Sequence, residues 1–383
     1  MSEKINDIDK IASICSDCGN CLFSCPVYNA ELTEPNSPRG KINIIKALRD
    51  GRLEPNKRNQ QFVYQCALCG SCENICTKGV AYTEMMINHR VTAAKGSKIP
   101  LLKKIILFLY QSILFKKMVW VTDLLAHTPL QKVLGIPRRR KSIEKKRKSN
   151  SQAEYDVLLF PGCVLTMFYP AIIEDITRIM EQNGLRVVTP SNLQCCGFPF
   201  LSQGWKNKFL TLRQKNQKIF SEYKFKYIVV PCGTGTMTFK EHYQIENPEI
   251  EIYELTDFFY KFLPNVPVDE DKLKPTGTKN GKFTWHDPCH NLKSLKIDKA
   301  PRHFMNKLGS SFIDDKSALC CGFGGIFSVG FPSTSKKILK RKENKLEEIG
   351  ADTVVTACPG CYLQLRERSN LDKRILFFSD LFH

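Results

Sequence analysis

Two groups of four cysteines near the start of the chain have a spacing that iron–sulfur clusters require. Both follow the pattern C-x2-C-x2-C-x3-C, and their members are Cys15, Cys18, Cys21 and Cys25, then Cys66, Cys69, Cys72 and Cys76. A cubane [4Fe–4S] cluster needs four thiolates, and in two-cluster proteins the fourth cysteine of each run ligates the other cluster. The spacing therefore predicts two cubanes, one on Cys15, Cys18, Cys21 and Cys76, the other on Cys66, Cys69, Cys72 and Cys25.

Zinc is the alternative metal for these cysteines. Zinc sites also use C-x2-C pairs, but two pairs are normally separated by a longer stretch than here. The compact group of four, repeated once, favours iron–sulfur chemistry. Thr77 follows Cys76 where the second run would have a proline, and this departure removes no ligand. Gly19 and Gly70 lie inside the loops, where close backbone approach to a cluster favours a residue without Cβ.

The remaining cysteines also point to metal or redox chemistry. The chain has seventeen cysteines, an odd total that fits poorly with a fully paired disulfide framework. The first fifteen residues carry five charges and no apolar core of a secretory signal. Because disulfides are rare in the reducing cytoplasm, a cytoplasmic protein with this many cysteines is expected to bind metal.

Helices are expected to position the two cysteine groups. The stretch 37–42 is predicted to be a loop that leads into a helix, in which Ile42, Ile45 and Leu48 form an apolar face. The domain over residues 1–100 is therefore predicted to be mostly helical, with both clusters held between helices. Arg39, in the loop, is either a donor to a cluster or partner, or an ordinary surface arginine.

Residues 101–150 combine an apolar segment with a basic run. The uncharged stretch 105–115 has eleven residues, whereas a membrane-spanning helix needs about twenty. Segment 101–125 is expected either to pack against protein, including a partner subunit, or to lie in a membrane interface. Residues 132–148 hold nine basic residues and one acid in a chain of net charge +19. They are predicted to be an exposed linker, with anionic lipid favoured over nucleic acid because no aromatic platform accompanies them.

An internal repeat occupies the rest of the chain. The repeated cysteines stand 125 or 126 residues apart, as Cys163 and Cys289, Cys195-Cys196 and Cys320-Cys321, and Cys232 and Cys358. Apolar runs that end at these cysteines alternate with helical stretches, which predicts parallel α/β units. Ligand sites in such units gather at the carboxyl ends of strands.

The predicted fold class is therefore α+β and multidomain. An α-helical two-cluster domain over 1–100 is followed by the linker at 101–150 and two repeated α/β domains, at 151–275 and 276–383.

Taken together, these motifs resemble one family across nearly the whole chain, the CCG-domain iron–sulfur oxidoreductase subunits. The family includes the iron–sulfur subunit of glycolate oxidase and its lactate-oxidising relatives, and the corresponding subunits of anaerobic glycerol-3-phosphate dehydrogenase and heterodisulfide reductase. The segment CSDCGNCLFSCPVYNAELTEPNSPRGKINIIKAL most resembles the glycolate-oxidase type. HDPCH at 286–290 and CCGFGG at 320–325 resemble the general CCG pattern.

This resemblance implies ligands for the repeats. In heterodisulfide reductases the complete pattern implies five cysteine ligands for a noncubane [4Fe–4S] centre. The second repeat has all five, namely Cys289, Cys320, Cys321, Cys358 and Cys361. The first has four, Cys163, Cys195, Cys196 and Cys232, with Gly235 in the last position. A noncubane centre is thus expected in the second repeat, and an ordinary cluster, a zinc ion or nothing in the first. His286 and His290 flank Cys289 and either tune this site or pack as ordinary core histidines.

The resemblance also implies an electron-transfer function. No flavin or nicotinamide fingerprint occurs in the chain, so a two-electron substrate needs a separate FAD-dependent dehydrogenase subunit. That subunit would oxidise a 2-hydroxy acid such as glycolate or lactate, and electrons would pass toward a membrane quinone at the cytoplasmic face of the membrane. The alternative is a disulfide reductase acting at the second CCG site. A zinc protein that binds nucleic acid is disfavoured by the cluster spacing, and no nucleic-acid partner is expected.

Overall fold

The computed structural model describes residues 8–96, 150, 153–245, 247–273, 281–309 and 311–382. The apolar and basic segments at 101–125 and 132–148 lie outside the described residues. The chain forms two compact units. The first contains the described residues up to 96 with Pro199–Phe209 and Leu319–Lys342, and the second contains the remainder. The domain boundaries derived from the sequence stay predictions.

All regular structure between residues 8 and 96 is helical, as predicted. The helices are α1 Ile8–Ser13, α2 Cys21–Ser24, α3 Pro26–Glu31, α4 Pro38–Arg49, α5 Lys57–Tyr64, α6 Ser71–Asn74 and α7 Tyr82–Gly96. Short α2 and α6 each begin at or beside the third cysteine of a group, so the cysteine loops end in helical turns.

Helix α4 starts earlier than the sequence predicted. Its first residue is Pro38, and the Ser37 Oγ accepts a hydrogen bond from the Gly40 N–H at 2.9 Å. The prediction of a loop over 37–42 was wrong, because a capping serine followed by proline is a favoured helix start. Gly40 is needed there, since a Cβ would stand 1.9 Å from the Glu34 carbonyl oxygen.

Two four-stranded parallel sheets form the second unit, one from each repeat. The first has the order β2-β1-β3-β4 and the second the order β6-β5-β7-β8. The strands are β1 Val157–Leu159, β2 Val187–Val188, β3 Tyr227–Val230, β4 Glu251–Glu254, β5 Phe283–Trp285, β6 Phe312–Ile313, β7 Thr353–Thr356 and β8 Arg374–Phe377. The equal strand orders confirm the predicted repeat of parallel α/β units.

Helices follow the strands in both repeats. In chain order they are α8 Gly162–Phe168, α9 Pro170–Gln182, α10 Phe198–Leu201, α11 Lys206–Ser221, α12 Gly233–His242, α13 Leu255–Phe262, α14 Lys299–Lys307, α15 Ile326–Gly330, α16 Pro332–Ile349 and α17 Pro359–Glu367. A π-helical turn, His290–Ser294, follows Cys289, and a 3₁₀ turn, Phe378–Leu381, ends the described chain.

In each sheet, cysteines follow the carboxyl ends of the two central strands. Strands β1, β5 and β7 are buried throughout. Cys163, Cys232, Cys289 and Cys358 come shortly after β1, β3, β5 and β7. In each sheet these two central strands are neighbours at the point where the strand order reverses, the usual ligand edge of an open parallel sheet.

The two repeats pack against each other reciprocally inside the second unit. Helix α8 of the first repeat contacts α17 of the second, and α12 contacts the π-helical turn after Cys289. Outside these, α9 contacts the 3₁₀ turn at Phe378–Leu381 and α13 contacts α14. Each contact has its counterpart with the repeats exchanged, so an approximate twofold axis relates them.

Candidate metal centres

Each N-terminal cysteine loop has the same backbone shape. Asp17 and Gly19 have positive φ angles of 56° and 84°, and Leu68 and Gly70 have 53° and 71° at the matching positions. Two left-handed residues on either side of the middle cysteine curl the loop, so that its three cysteines lie along a short arc. A Cβ at Gly19 would also stand 2.9 Å from the Arg39 Nη1, so the arginine side chain would have to move.

Cys25 lies among the cysteines of the second group. Its thiol interacts electrostatically with those of Cys66 and Cys69, and the Cys72 thiol interacts with all three. Backbone N–H groups point at two of the sulfurs: Tyr28 donates to Cys25 and Leu68 donates to Cys66, both at 3.4 Å. Burial raises the pKa of the Cys25 thiol to about 12.

The first group shares a cavity with the last cysteine of the second group. Cys15, Cys18, Cys21 and Cys76 line this cavity together, and Cys72 and the α4 residues Pro38 and Ile42 also lie in its wall. Cys18 is exposed. Burial raises the pKa of the Cys21 thiol, while the backbone N–H of Arg39 lowers it. The structure thus brings Cys76 to the first loop and Cys25 to the second.

The Arg39 side chain lies along the first loop. Its Nη1 donates to the Asp17 carbonyl oxygen at 3.0 Å, and its Nε donates to the Glu34 carboxylate at 2.7 Å. The ion pair with Glu34 fixes the guanidinium, which in turn holds the left-handed turn at Asp17. Arg39 thus supports the backbone of the first cysteine loop, and a contact of its side chain with a cluster or partner stays a prediction.

Thiols of the first CCG repeat lie side by side. Cys195 shares hydrogen bonds with the thiols of Cys163 and Cys196, and Cys196 interacts electrostatically with Cys232. Cys195 and Cys196 are fixed through their backbones. The Asn216 Nδ2 donates to the Cys195 carbonyl oxygen at 3.2 Å, and the Tyr243 hydroxyl donates to that of Cys196 at 3.1 Å.

In the second repeat, Cys358 stands at the N-terminus of α17 beside Cys361. The pKa of Cys358 is lowered by hydrogen bonds from the thiols of Cys232 and Cys361, and also by the backbone N–H groups of Cys361 and Gly360. A ring nitrogen of buried His286 lies within 4.8 Å of the Cys361 sulfur. These atoms can share a metal.

The loop that carries Cys289 is held by a buried ion pair. The Asp287 carboxylate accepts from the Trp285 Nε1 at 2.9 Å and from the Arg302 Nη2 at 2.9 Å. Arg302 also pairs with Asp314 at 3.0 Å. The next histidine, His290, has its Nδ1 2.7 Å from the Thr234 Oγ1 of the first repeat. This contact makes His290 a packing residue between the repeats.

Cys320 and Cys321 are buried in the first unit. The Cys320 sulfur accepts from the Gly322 N–H at 3.3 Å, as the Cys195 sulfur accepts from the Gly197 N–H at 3.5 Å. Both glycines have positive φ angles, 84° for Gly322 and 89° for Gly197. The CCG triplet therefore has one local structure in both repeats.

Comparison with known protein families identifies the same parts. Residues 157–240 and 283–366 match the family described as "Cysteine-rich domain", also called CCG, and residues 11–80 match "4Fe-4S dicluster domain". This chain therefore carries one 4Fe-4S dicluster domain and two CCG domains. The resemblance inferred from the sequence is confirmed, as is the order of one dicluster domain followed by two CCG repeats.

Several of its relatives are named as subunits of oxidoreductases. One subunit of the CoM/CoB fumarate reductase of Methanothermobacter marburgensis is 26% identical over 376 residues, which covers 95% of this chain and 69% of the relative. The probable glycolate oxidase iron–sulfur subunit of Bacillus subtilis is 26% identical, covering 94% of this chain and 90% of the relative. The glycolate oxidase iron–sulfur subunit of Escherichia coli is 24% identical, covering 94% and 91%.

The N-terminal thiols fit an iron–sulfur cluster. Iron binds the thiolate form of cysteine, and backbone N–H groups directed at sulfur favour that form. Cys25 and Cys66 each receive such a hydrogen bond. Burial alone opposes deprotonation, so the charge of bound iron is needed to keep such thiols ionised. The thiols of Cys25 and Cys72, whose pKa values are raised by burial, meet this description.

Two buried cations beside the second group were missed by the sequence analysis. Lys41 is 1% exposed; its Nζ donates to the Asn36 carbonyl oxygen and its charge interacts with Cys25 and Cys66. Arg90 is also 1% exposed and donates to the carbonyl oxygens of Val63 at 2.9 Å and Cys66 at 3.2 Å. The sequence signal for the burial of Lys41 is its position one helical turn before Ile45, on the apolar face of α4.

None of the helices in the described part of the chain combines the length and apolar character that crossing a membrane requires.

Proposed function

We propose that this chain is the iron–sulfur electron-transfer subunit of an oxidoreductase complex. It would receive electrons from a separate FAD-dependent dehydrogenase that oxidises a 2-hydroxy acid of the glycolate or lactate type, and pass them toward a membrane quinone. The observation that supports the proposal is that Cys25 lies among the thiols of the second group, while Cys76 lines the cavity of the first group. The glycolate oxidase iron–sulfur subunits among its relatives support the choice of substrate class.

In this proposal the eight N-terminal cysteines hold two cubane clusters. One is held by Cys15, Cys18, Cys21 and Cys76, and the other by Cys66, Cys69, Cys72 and Cys25. When bound, such clusters accept and release single electrons. Exposed Cys18 gives the first site an edge at the protein surface, where a partner can approach closely. The four thiols around Cys25 are half-buried, so the second site is less open to solvent than the edge at Cys18.

Metal centres are also proposed for the cysteines of the two CCG repeats. We assign the five cysteines of the second repeat, Cys289, Cys320, Cys321, Cys358 and Cys361, to a noncubane [4Fe–4S] centre. The four cysteines of the first repeat would hold a cluster, a zinc ion or nothing. The basic stretch within 101–148 is proposed to contact anionic lipid, which would bring the protein to the membrane that contains the quinone.

Paired cysteine variants test the ligand exchange on which the proposal depends. In a Cys15→Ser/Cys76→Ser protein both lost ligands belong to one cluster, so about four irons should disappear. In a Cys15→Ser/Cys25→Ser protein each lost ligand belongs to a different cluster, so about eight irons should disappear. Iron, acid-labile sulfide and EPR of the reduced protein, purified without oxygen, measure the outcome.

If each cluster instead used the four cysteines of one run, the two results would be exchanged. Zinc in place of iron in the wild-type protein would overturn the electron-transfer proposal altogether. Reduction of the clusters by a 2-hydroxy-acid dehydrogenase and its substrate, followed by reoxidation with a quinone analogue, tests the direction of electron flow.

A second candidate function is reduction of a disulfide at the second CCG repeat. It is favoured by the adjacent Cys358 and Cys361 thiols, and by the similarity to a subunit of the CoM/CoB fumarate reductase. Oxidation of the reduced protein by an organic disulfide, with a new paramagnetic signal, would support it. If only a quinone analogue reoxidises the protein, this candidate is excluded.

A further inference from the structure

The two CCG repeats meet at a pair of equivalent cysteines. Cys232 and Cys358 occupy the same position in the repeat, after β3 and after β7. Their thiols share a hydrogen bond. Two equivalent residues can touch only where the approximate twofold axis passes between them. The helices that begin at these cysteines, α12 and α17, each contact the opposite repeat, which agrees with that position of the axis.

Glycines of the first repeat allow this close approach. A Cβ at Gly233 would stand 1.8 Å from the Asn291 Oδ1 of the second repeat. The position that matches Gly233 in the second repeat is Pro359, so the two sequences differ where the approach is closest. A side chain at the start of α12 would have to displace the Asn291 side chain of the π-helical turn after Cys289.

Gly235 stands where the second repeat has Cys361, so the first repeat lacks a thiol three residues after Cys232. A Cβ at this position would stand 3.9 Å from the Cys232 sulfur and 2.8 Å from the Val230 Cγ1. The first repeat therefore has no C-x2-C pair of its own. The thiols that hydrogen-bond to Cys358 are instead Cys232, across the axis, and Cys361, three residues along its own helix.

The three sulfurs form one contiguous group. Two thiolates on the same tetrahedral metal, with bonds of about 2.3 Å, stand about 3.8 Å apart, which is also the range of a contact between two thiols. Cys358 touches both of the other thiols and is the middle member of the group.

We propose that Cys232 is a ligand of the iron–sulfur centre of the second CCG repeat, so that this centre is shared by the two repeats. The inference depends on the proposed function only in requiring that the second repeat bind a cluster. Cys232 then anchors the first repeat to the centre, and the first repeat is left with three cysteines. The degenerate repeat thus contributes a ligand where its own fifth cysteine is missing.

Single serine variants of the full chain test the shared centre. Cys232→Ser should reduce iron and alter the EPR signal of the second-repeat centre as strongly as Cys361→Ser does. The matched control is Cys163→Ser, which removes a cysteine of the same repeat whose thiol contacts Cys195. Cys163→Ser should leave that signal unchanged. The signals of the two N-terminal cubanes in the same samples report whether each variant has folded.

Opposite results overturn the inference. If Cys232→Ser retains the wild-type signal and iron content while Cys361→Ser loses them, Cys232 is not a ligand. If the wild-type protein contains about eight irons and no third centre, the shared centre is excluded while the electron-transfer function of the N-terminal cubanes stands. Zinc that depends on Cys232 and Cys361 would show a shared metal site but would overturn its assignment as iron–sulfur.

Discussion

Replacing Lys41 by methionine should lower the reduction potential of one N-terminal cluster and leave the other unchanged. The Lys41 ammonium is 1% exposed and its charge interacts with Cys25, Cys66 and Cys72, three of the four thiols of the second set. A cluster becomes more negative when it is reduced, so a nearby positive charge stabilises the reduced state. Removal of the charge therefore makes reduction harder.

The size of the shift follows from Coulomb's law. A unit charge at 4 Å contributes about 4 kcal/mol at an effective dielectric constant of about 20, and less in inverse proportion to distance. A loss of about 1.4 kcal/mol changes a one-electron equilibrium tenfold, or ~59 mV. Since Lys41 is excluded from water, we expect the potential of the second cluster to fall by about 60 mV or more.

Burial also lowers the pKa of Lys41, while the thiol of Cys25 raises it. Thiolates that bind a cluster carry more negative charge than free thiols, which keeps the ammonium protonated. A Lys41→Arg variant retains the charge and should keep the wild-type potential.

The assay is a redox titration of the two cubane EPR signals. Lys46→Met, the same change further along α4 at a half-buried position, is the matched control and should move neither potential. Two unchanged potentials in Lys41→Met would refute the reasoning, as would an equal shift in the control. A change in the reduction potential of the first cluster alone would show that Lys41 acts on that cluster and not on the second.

Three further changes have defined outcomes. Gly40→Ala should lower stability by about 1–3 kcal/mol, seen as a lower melting temperature, because its Cβ would collide with the Glu34 carbonyl oxygen. Glu254 is fully buried and its pKa is raised to about 7 by burial, so its stabilising effect is present at low pH and is lost as the pH rises through 7. Glu254→Gln should remove this pH dependence, a change of about 2–3 kcal/mol between pH 5 and pH 8. Arg302→Met should cost about 3–5 kcal/mol in chemical denaturation, because it leaves a buried carboxylate unpaired.

Each of these changes has its own control. Gly330→Ala adds a methyl group where nothing lies within 4 Å, and it should be neutral or slightly stabilising in its helix. For Glu254, parallel pH profiles of wild type and variant would contradict the assigned carboxyl group. For Arg302, the double variant with Asp287→Asn should recover part of the lost stability. No recovery would mean that the arginine acts through packing instead.

The cysteine chemistry could be predicted because it is local. Each N-terminal run places four thiols within eleven residues, so the spacing itself limits which metal group can fit. The repeat was visible for a similar reason, since apolar runs that end in cysteine mark strands with ligands at their carboxyl ends. The start of α4 differs from the prediction although Ser37 and Pro38 carry a capping signal, because the apolar spacing that locates the helix begins only at Ile42.

Long-range packing supplied what these local patterns could not. The burial of Lys41 depends on what covers the apolar face of α4, and a lysine one turn from Ile45 is compatible with either an exposed or a buried position. The contact between Cys232 and Cys358 joins residues more than a hundred positions apart, and it depends on how two similar sheets pack around an axis. The sequence by itself determined the ligand type and the fold of each part, because both follow from spacing and periodicity. Only the tertiary structure decided which charges face the thiols and which thiols of the two repeats meet, because desolvation and contact are properties of the packed chain.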